Sequence, residues 1–402
     1  MSKRTRVLIC GTGAGAHVLA GVISRQPDVE LRVISQSAEK ARRWQESIDR
    51  DGFAVRIDGD NGHRTILKAG PFTITAEREA ARGCDIVILT VPAFVHLTYL
   101  KCLAPYLDDG CIIVGLPGQN GFEYDVREAL GSRLKRCAML NFESLPWVCR
   151  AGKFGRYANI AGHKEKLLGA ANGDLGRANI SDPLACLQRL FGAPPKLTIS
   201  GHPLGITLRA PNAYCHPPMM FGRWKDWDGT GLDEAPFFYS GVDEETVTLL
   251  EDVSEEVVNT SRRIMADYPG VDLSQVIPLY DWDVGCYGNV IEDKTTLLTA
   301  MRTNGAYAGI RHPMVETEDG KLVPDFTHRF LTEDVPFGLV VIRGIAEIAG
   351  VPTPKLDTVL CWSQQKLGKE YLVGPRLSGK DISATRCPQR YGYSTMEDVL
   401  GA

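Results

Sequence analysis

The sequence predicts an α/β fold over its first half, built on a parallel sheet, and a mostly helical second half. Three observations predict it. Near the start, an apolar run passes through a glycine-rich turn into a helical pattern over residues 6–20. Two further apolar runs, 85–90 and 111–114, each end in a proline- or glycine-rich break, as expected for parallel strands buried on both faces. Beyond about residue 200, helical periodicity takes over.

The first element is the strand Val7-Leu8-Ile9-Cys10, followed by Gly11-Thr12-Gly13-Ala14-Gly15-Ala16 and a helix whose Val18, Leu19, Val22 and Ile23 share one face. Strand, glycine turn and helix together form the Rossmann dinucleotide-binding fingerprint. Gly11 permits the tight turn, Gly13 lets a pyrophosphate approach the backbone, and Ala16 lets helix and strand pack closely. Ala14 opens the helix, whose free N–H groups face the phosphates.

A second strand over 31–34 and a helix over 39–48 follow. Where NAD enzymes commonly carry an acid for the ribose 2′-hydroxyl, this chain offers Ser35-Gln36-Ser37, with Arg42 and Arg43 close behind. The missing acid and the nearby arginines suit the 2′-phosphate of NADPH, and the arginines read equally as the solvated face of a helix. The strand over 85–90 ends in Val91-Pro92-Ala93, and that over 111–114 in Gly115-Leu116-Pro117-Gly118-Gln119-Asn120-Gly121. Both breaks fall at carboxyl ends of strands, where an open α/β sheet binds its ligand. A strand over 137–142 leads into Glu143-Ser144-Leu145-Pro146-Trp147.

The alternation fades over 150–200, near Pro194-Pro195, giving an expected dinucleotide-binding domain at 1–200 and a mostly helical domain at 201–402. Helices are expected over 244–268, 274–282, 292–299 and 338–349.

The whole chain, 402 residues with 44% hydrophobic and 23% charged, has the composition of a globular protein. Its net charge of −4 gives no basic footprint for nucleic acid. Eleven scattered cysteines without CxxC or zinc-like spacing read as reduced thiols, with no metal site. With neither a signal-peptide pattern nor an apolar stretch of about 20 residues, the expectation is a cytoplasmic protein with small-molecule partners and no membrane.

Two polar stretches interrupt the helical half: Asn212-Ala213-Tyr214-Cys215-His216-Pro217-Pro218, and His328-Arg329-Phe330-Leu331-Thr332-Glu333-Asp334-Val335-Pro336. His216 is a candidate acid–base group because imidazole titrates near neutral pH. Cys215 lacks the neighbours of a nucleophile. The other histidines read as structural. Arg329 can pair with a substrate carboxylate and Asp334 can orient an imidazole. The same stretch also reads as a helix start with an ion pair or cap.

Several longer motifs carry a resemblance: VILTVPAF, GLPGQNGFE, FESLPWVCR, FGRWKDWDG, RFLTEDVPFG, GKEYLV and the tail GKDISATRCPQRYGY. With them the chain resembles, over nearly its whole length, the opine dehydrogenases of marine invertebrates. The resemblance implies a Rossmann domain followed by an all-helical substrate domain, and a monomer. It also implies NADH-dependent condensation of a 2-oxo acid, usually pyruvate, with the amine of an amino acid, regenerating NAD⁺ in anaerobic glycolysis. It places the catalytic histidine at His216, its partner at Asp334 and an adjacent arginine at Arg329. It puts Gln119, Glu143 and Ser144 near the oxo acid, and Cys149, Asn212 and Trp282 near the amino acid. Ser144 replaces a threonine and Asn212 a tyrosine of the octopine enzyme, so the amino acid stays open among arginine, alanine, glycine, β-alanine and taurine. Asp281 or Asp283 would serve a guanidinium. A simple oxo-acid reductase and a non-catalytic dinucleotide-binding protein are the alternatives.

Overall fold

Strand β1 (Thr5–Cys10) runs through the middle of an eight-stranded sheet, and its last four residues are fully buried. The chain continues through α1 (Ala14–Ile23), β2 (Val29–Ile34), α2 (Ala38–Asp51), β3 (Ala54–Asp58), β4 (Arg64–Lys68), β5 (Thr73–Thr75), β6 (Ile86–Leu89), α3 (His96–Leu103), β7 (Ile112–Gly115), α4 (Phe122–Leu130) and β8 (Ala138–Phe142). Strands β5, β2, β1, β6, β7 and β8 are mutually parallel in that order. The chain leaves β1 toward β2 on one side and returns at β6 on the other, so the topological switch point lies beside β1.

A computed structural model describes residues 4–58, 63–172 and 175–401. It divides into two compact units, Met1–Ile206 and Thr207–Ala402, the division falling inside α6 (Pro203–Arg209) rather than at residue 200.

The fading alternation over 150–200 conceals regular structure. Strands β9 (Trp147–Ala151) and β10 (Tyr157–His163) form an antiparallel pair with a bulge between Ile160 and Gly162. With β3 and β4 they build a second sheet. Strand β11 (Lys166–Asn172) joins the large sheet antiparallel to β8, and α5 (Pro183–Phe191) leads to β12 (Lys196–Ile199) at its edge. β9 and β10 bury only some of their residues, so they lack the continuous apolar run that marks a doubly covered strand.

The two faces of the large sheet carry separate cores. One gathers Val7, Ile9, Leu19, Ile88, Leu140 and Phe142. The other gathers Leu8, Cys10, Val87, Leu89, Leu100 and Met139.

In the second unit, α7 (Asn212–Trp224) and α8 (Glu244–Asp267) form the main helical pair. They are followed by α9 (Leu279–Tyr287), α10 (Leu297–Thr303), α11 (Arg329–Thr332), a π-helical turn at Val335–Leu339, α12 (Val340–Ile348), α13 (Pro354–Leu367) and α14 (Met396–Leu400). Among the described residues, no helix is long and apolar enough to cross a membrane.

Three expectations need correction. The unit is not all-helical: the hairpins β13 (Met314–Glu316) with β14 (Leu322–Pro324), and β15 (Leu372–Val373) with β16 (Arg376–Leu377), interrupt it. Helix α9 starts at Leu279, not 274, because a residue before proline avoids helical backbone and Pro278 stands at the cap. Helix α10 starts at Leu297, not 292, because Thr296 and Thr299 close a capping box there.

Candidate active site

The glycine turn is built as a phosphate cradle. Gly11 adopts φ +120°, and a Cβ there would lie 2.5 Å from Val91 Cγ1. Only glycine suits this approach of the β1 and β6 ends. Gly13 caps α1 without any side-chain hydrogen bond, and the space around its missing Cβ is open. The backbone donors that open the helix at Ala14 therefore have no side-chain cap, as an anion site requires. Ala16 is fully buried against the sheet. A Cβ on Gly15 would meet Thr90 and Leu145, so α1 and the loops after β6 and β8 converge here. This cradle fits a dinucleotide pyrophosphate.

His17 braces it. Its neutral ring stacks on Trp44 with centroids 3.6 Å apart and the planes 4° from parallel. Nδ1 lies 3.0 Å from the Gly13 carbonyl, and Nε2 accepts from the Gly155 N–H at 3.2 Å. Burial lowers its pKa from 6.5 to about 4, against the opposing pull of the Gly13 carbonyl.

The ribose end is engaged internally. Ser35 is buried, and its hydroxyl accepts from the Ser37 N–H. Ser37 in turn caps α2 by accepting from Lys40. Arg42 pairs with Glu46 at 2.8 Å and Arg43 with Glu39 at 3.5 Å, all four exposed. These are solvated i,i+4 pairs of α2. Val91 receives His96 Nε2 on its carbonyl at 2.8 Å, and Pro92 caps a short 3₁₀ turn.

The oxo-acid candidates sit on two adjoining loops of the same sheet edge. The Gly118 N–H bonds the Phe142 carbonyl at 3.3 Å, tying the loop after β7 to the end of β8. Gln119 takes a left-handed φ of +62°, a strained conformation for a side-chain-bearing residue. The Glu143 carboxylate accepts from the Leu168 N–H at 3.1 Å, and the Ser144 hydroxyl accepts from Lys164 Nζ at 2.5 Å. The Cys149 thiol is pushed up to about 12 by burial, with Lys164 opposing, so it is a neutral packing group.

In the second unit, Asn212 and His216 lie at i and i+4 of α7, on one face. The sequence suggested a break here. Instead the helix runs through Pro217 and Pro218; proline's fixed φ is helical, and packing against α8 offsets the lost N–H groups and the ring's crowding of the carbonyl one turn back. His216 Nδ1 meets Asp334 Oδ2 at 2.8 Å, and Nε2 meets the Tyr239 hydroxyl at 3.0 Å. His216 and Asp334 are both buried. Phe330 covers the imidazole at 4.1 Å between centroids, and Phe238 closes another side at 5.8 Å. Asp334 precedes the π-helical turn, whose Pro336 carbonyl accepts from the Arg386 N–H. The family-like tail thus packs against the turn that holds the aspartate.

Arg329 opens α11, exposed, and pairs with the buried Glu333 at 3.2 Å. Trp282 lies on α9 with its ring 6.0 Å from Tyr287. Beside it, Asp283 is buried and accepts from the Tyr307 hydroxyl at 2.5 Å and Asn304 Nδ2 at 3.4 Å. Burial drives the Cys215 thiol strongly upward, which removes it as a nucleophile. Among the described residues no group of His, Cys, Asp and Glu has metal-site geometry.

Sequence reasoning missed Tyr239, Tyr307 and Phe330. Tyr239 and Tyr307 belong to no periodic pattern or spaced motif, and Phe330 lies in the RFLTEDVPFG stretch without a polar group to mark it; packing brings Tyr239 and Phe330 to His216 and Tyr307 to Tyr239.

The family described as NAD/NADP octopine/nopaline dehydrogenase, alpha-helical domain, matches residues 199–367. An opine dehydrogenase of Haliotis discus hannai is 46% identical over 100% of this chain and 99% of its own. A tauropine dehydrogenase of Arabella iricolor is 44% identical over 98% and 99%. A solved octopine dehydrogenase with NADH and L-arginine superimposes with a TM-score of 0.93 at 42% identity, covering 98% of both chains.

Proposed function

The chain belongs to the octopine and opine dehydrogenase family, and we propose that it joins pyruvate to the amine of a small amino acid with NADH as reductant. The observation that carries this reading is the buried Asp334–His216 hydrogen bond of 2.8 Å. The amine adds to the keto carbon and water leaves, giving an imine. Hydride and a proton then give the secondary amine dicarboxylate and NAD⁺. NADH, when bound, supplies that hydride.

The residues of the chain supply the rest. The cradle formed by Gly11, Gly13 and Ala14 holds the pyrophosphate against the N-terminus of α1. Asp334 accepts from Nδ1–H and so fixes the imidazole tautomer with Nε2 as the working nitrogen. Nε2 takes a proton from the attacking ammonium and returns one to the departing oxygen. Arg329 pairs with a carboxylate, and Gln119 and Ser144 hydrogen-bond the oxo acid.

Two observations narrow the choice of ligands. Arg42 and Arg43 are already paired along α2, which favours NADH over NADPH. Asp283 is buried, with both of its hydrogen bonds on Oδ1 and its unpaired Oδ2 enclosed, so it offers a guanidinium no accessible oxygen, which favours alanine, glycine, β-alanine or taurine over arginine. Steady-state oxidation of NADH and NADPH with pyruvate and each of these five amines tests the reading. Strict dependence on a small amine and on NADH is expected. Turnover of pyruvate without any amine would replace the reading with a simple reductase.

A further inference from the structure

His216 has a partner on each ring nitrogen, and only Asp334 is accounted for by the reading above. The second, Tyr239, sits on Nε2, the nitrogen assigned to proton transfer. We propose that Tyr239 relays protons for His216: its hydroxyl occupies the single bonding direction of Nε2, gives its proton to that nitrogen as it takes one from the substrate and reverses the exchange afterwards, and Tyr307 with Asp283 fixes where that hydroxyl lies. The inference rests on the assignment of His216 as the acid–base group.

A carboxylate only accepts, so the Asp334 contact assigns the proton to Nδ1 of the neutral ring. Nε2 is then an acceptor, and the Tyr239 hydroxyl donates to it. When the ring is protonated, Nε2–H becomes a donor and the same hydroxyl turns to accept. A hydroxyl can make both bonds by rotating its hydrogen, without moving its oxygen.

The oxygen is held from behind. The Tyr239 ring stacks on Tyr307 with centroids 4.0 Å apart and the planes 17° from parallel. It also meets Phe238 edge-on at 4.8 Å. The Tyr307 hydroxyl donates to Asp283 Oδ1. The other Asp283 oxygen, Oδ2, is buried and has no hydrogen-bond partner. A buried carboxylate with one unsatisfied oxygen is costly to keep, so its retention here is explained by the anchor it provides.

The titratable groups around the ring are Asp334, Tyr239, Cys215, Asp283, Tyr307, Tyr287 and His328. Burial raises Cys215, Tyr239 and Tyr307 strongly, so they stay neutral over the working range. It also raises Asp283 and lowers His328.

The test compares Tyr239→Phe and Tyr307→Phe with the parent in full-length enzyme. Both variants should bind NADH, followed by its fluorescence, with unchanged affinity. Tyr239→Phe should lower kcat about tenfold. The lost bond is stronger to the charged ring than to the neutral one, so the acid limb of its kcat/KM profile should move down by about half a pH unit. Tyr307→Phe should move both quantities the same way by less.

A Tyr239→Phe enzyme within twofold of the parent, with a superimposable pH profile, would overturn the proposal. If that variant does not fold, ¹⁵N-histidine spectra of the parent decide, with His216→Asn giving the assignment. A hydrogen-bonded Nε2 beside a protonated Nδ1 is expected, and an unbonded Nε2 refutes it. Retained turnover in His216→Asn would instead overturn the assignment of His216 itself.

Discussion

Replacing His17 with phenylalanine should remove a specific part of the acid sensitivity of the first unit. The folded protein keeps this ring neutral, with its pKa lowered from 6.5 to about 4. The unfolded chain binds a proton near pH 6.5 and the folded chain does not, so stability falls as pH drops through that window. The contribution is intact well above pH 6.5 and gone below about pH 4. Linkage gives a loss of about 2 kcal/mol between roughly pH 7 and pH 5, and about 3 kcal/mol in full. Phenylalanine keeps the stack on Trp44 but leaves the Gly155 N–H unpaired, which costs about 1–2 kcal/mol at any pH. The two effects separate cleanly, because only the first depends on pH. Urea unfolding of the full chain near pH 7 and near pH 5, followed by tryptophan fluorescence and far-ultraviolet dichroism, reads both. The parent should lose about 2 kcal/mol more than His17→Phe on acidification. Equal losses in the two proteins would refute the claim that this histidine is held neutral by burial.

Two further outcomes follow from the site geometry. Asp334→Asn keeps the shape but replaces a carboxylate that can only accept with an uncharged amide that can also donate to Nδ1, so the His216 tautomer is no longer fixed. The kcat should fall by about 10²-fold or more while NADH affinity, read by fluorescence, stays within about twofold. Gly11→Ala places a Cβ 2.5 Å from Val91 Cγ1 at a backbone φ of +120°. It should weaken NADH binding about tenfold and destabilise the first unit by about 2 kcal/mol, measured by fluorescence titration and thermal melting.

What could be read from the sequence depended on whether a feature is local. The dinucleotide cradle is legible because strand, Gly11, Gly13 and helix start are contiguous, and each glycine answers to a steric need visible in the turn itself. Helix α8 is legible because a long amphipathic period starts from a side-chain cap at Asp243. Strands β9 and β10 were not, because they bury only some positions and pair across a bulge. Helix α7 was misread through its two prolines, although its tertiary packing against α8 outweighs two missing N–H donors.

The active site shows the same divide more sharply. His216 and Asp334 stand 118 residues apart, so no spacing rule connects them; the polar stretch that carries each singles it out, and only the family resemblance joins them as a pair. Tyr239 lies in no such stretch. Its position follows from a stack on Tyr307, which follows from a bond to Asp283 on another helix. Each link is a side-chain contact between segments that the sequence keeps apart. In the proposal above, an imidazole that takes and gives a proton at Nε2 is matched by a hydroxyl that can reverse its role there, whereas Asp334 can only accept; no periodicity reveals the residue that carries that hydroxyl.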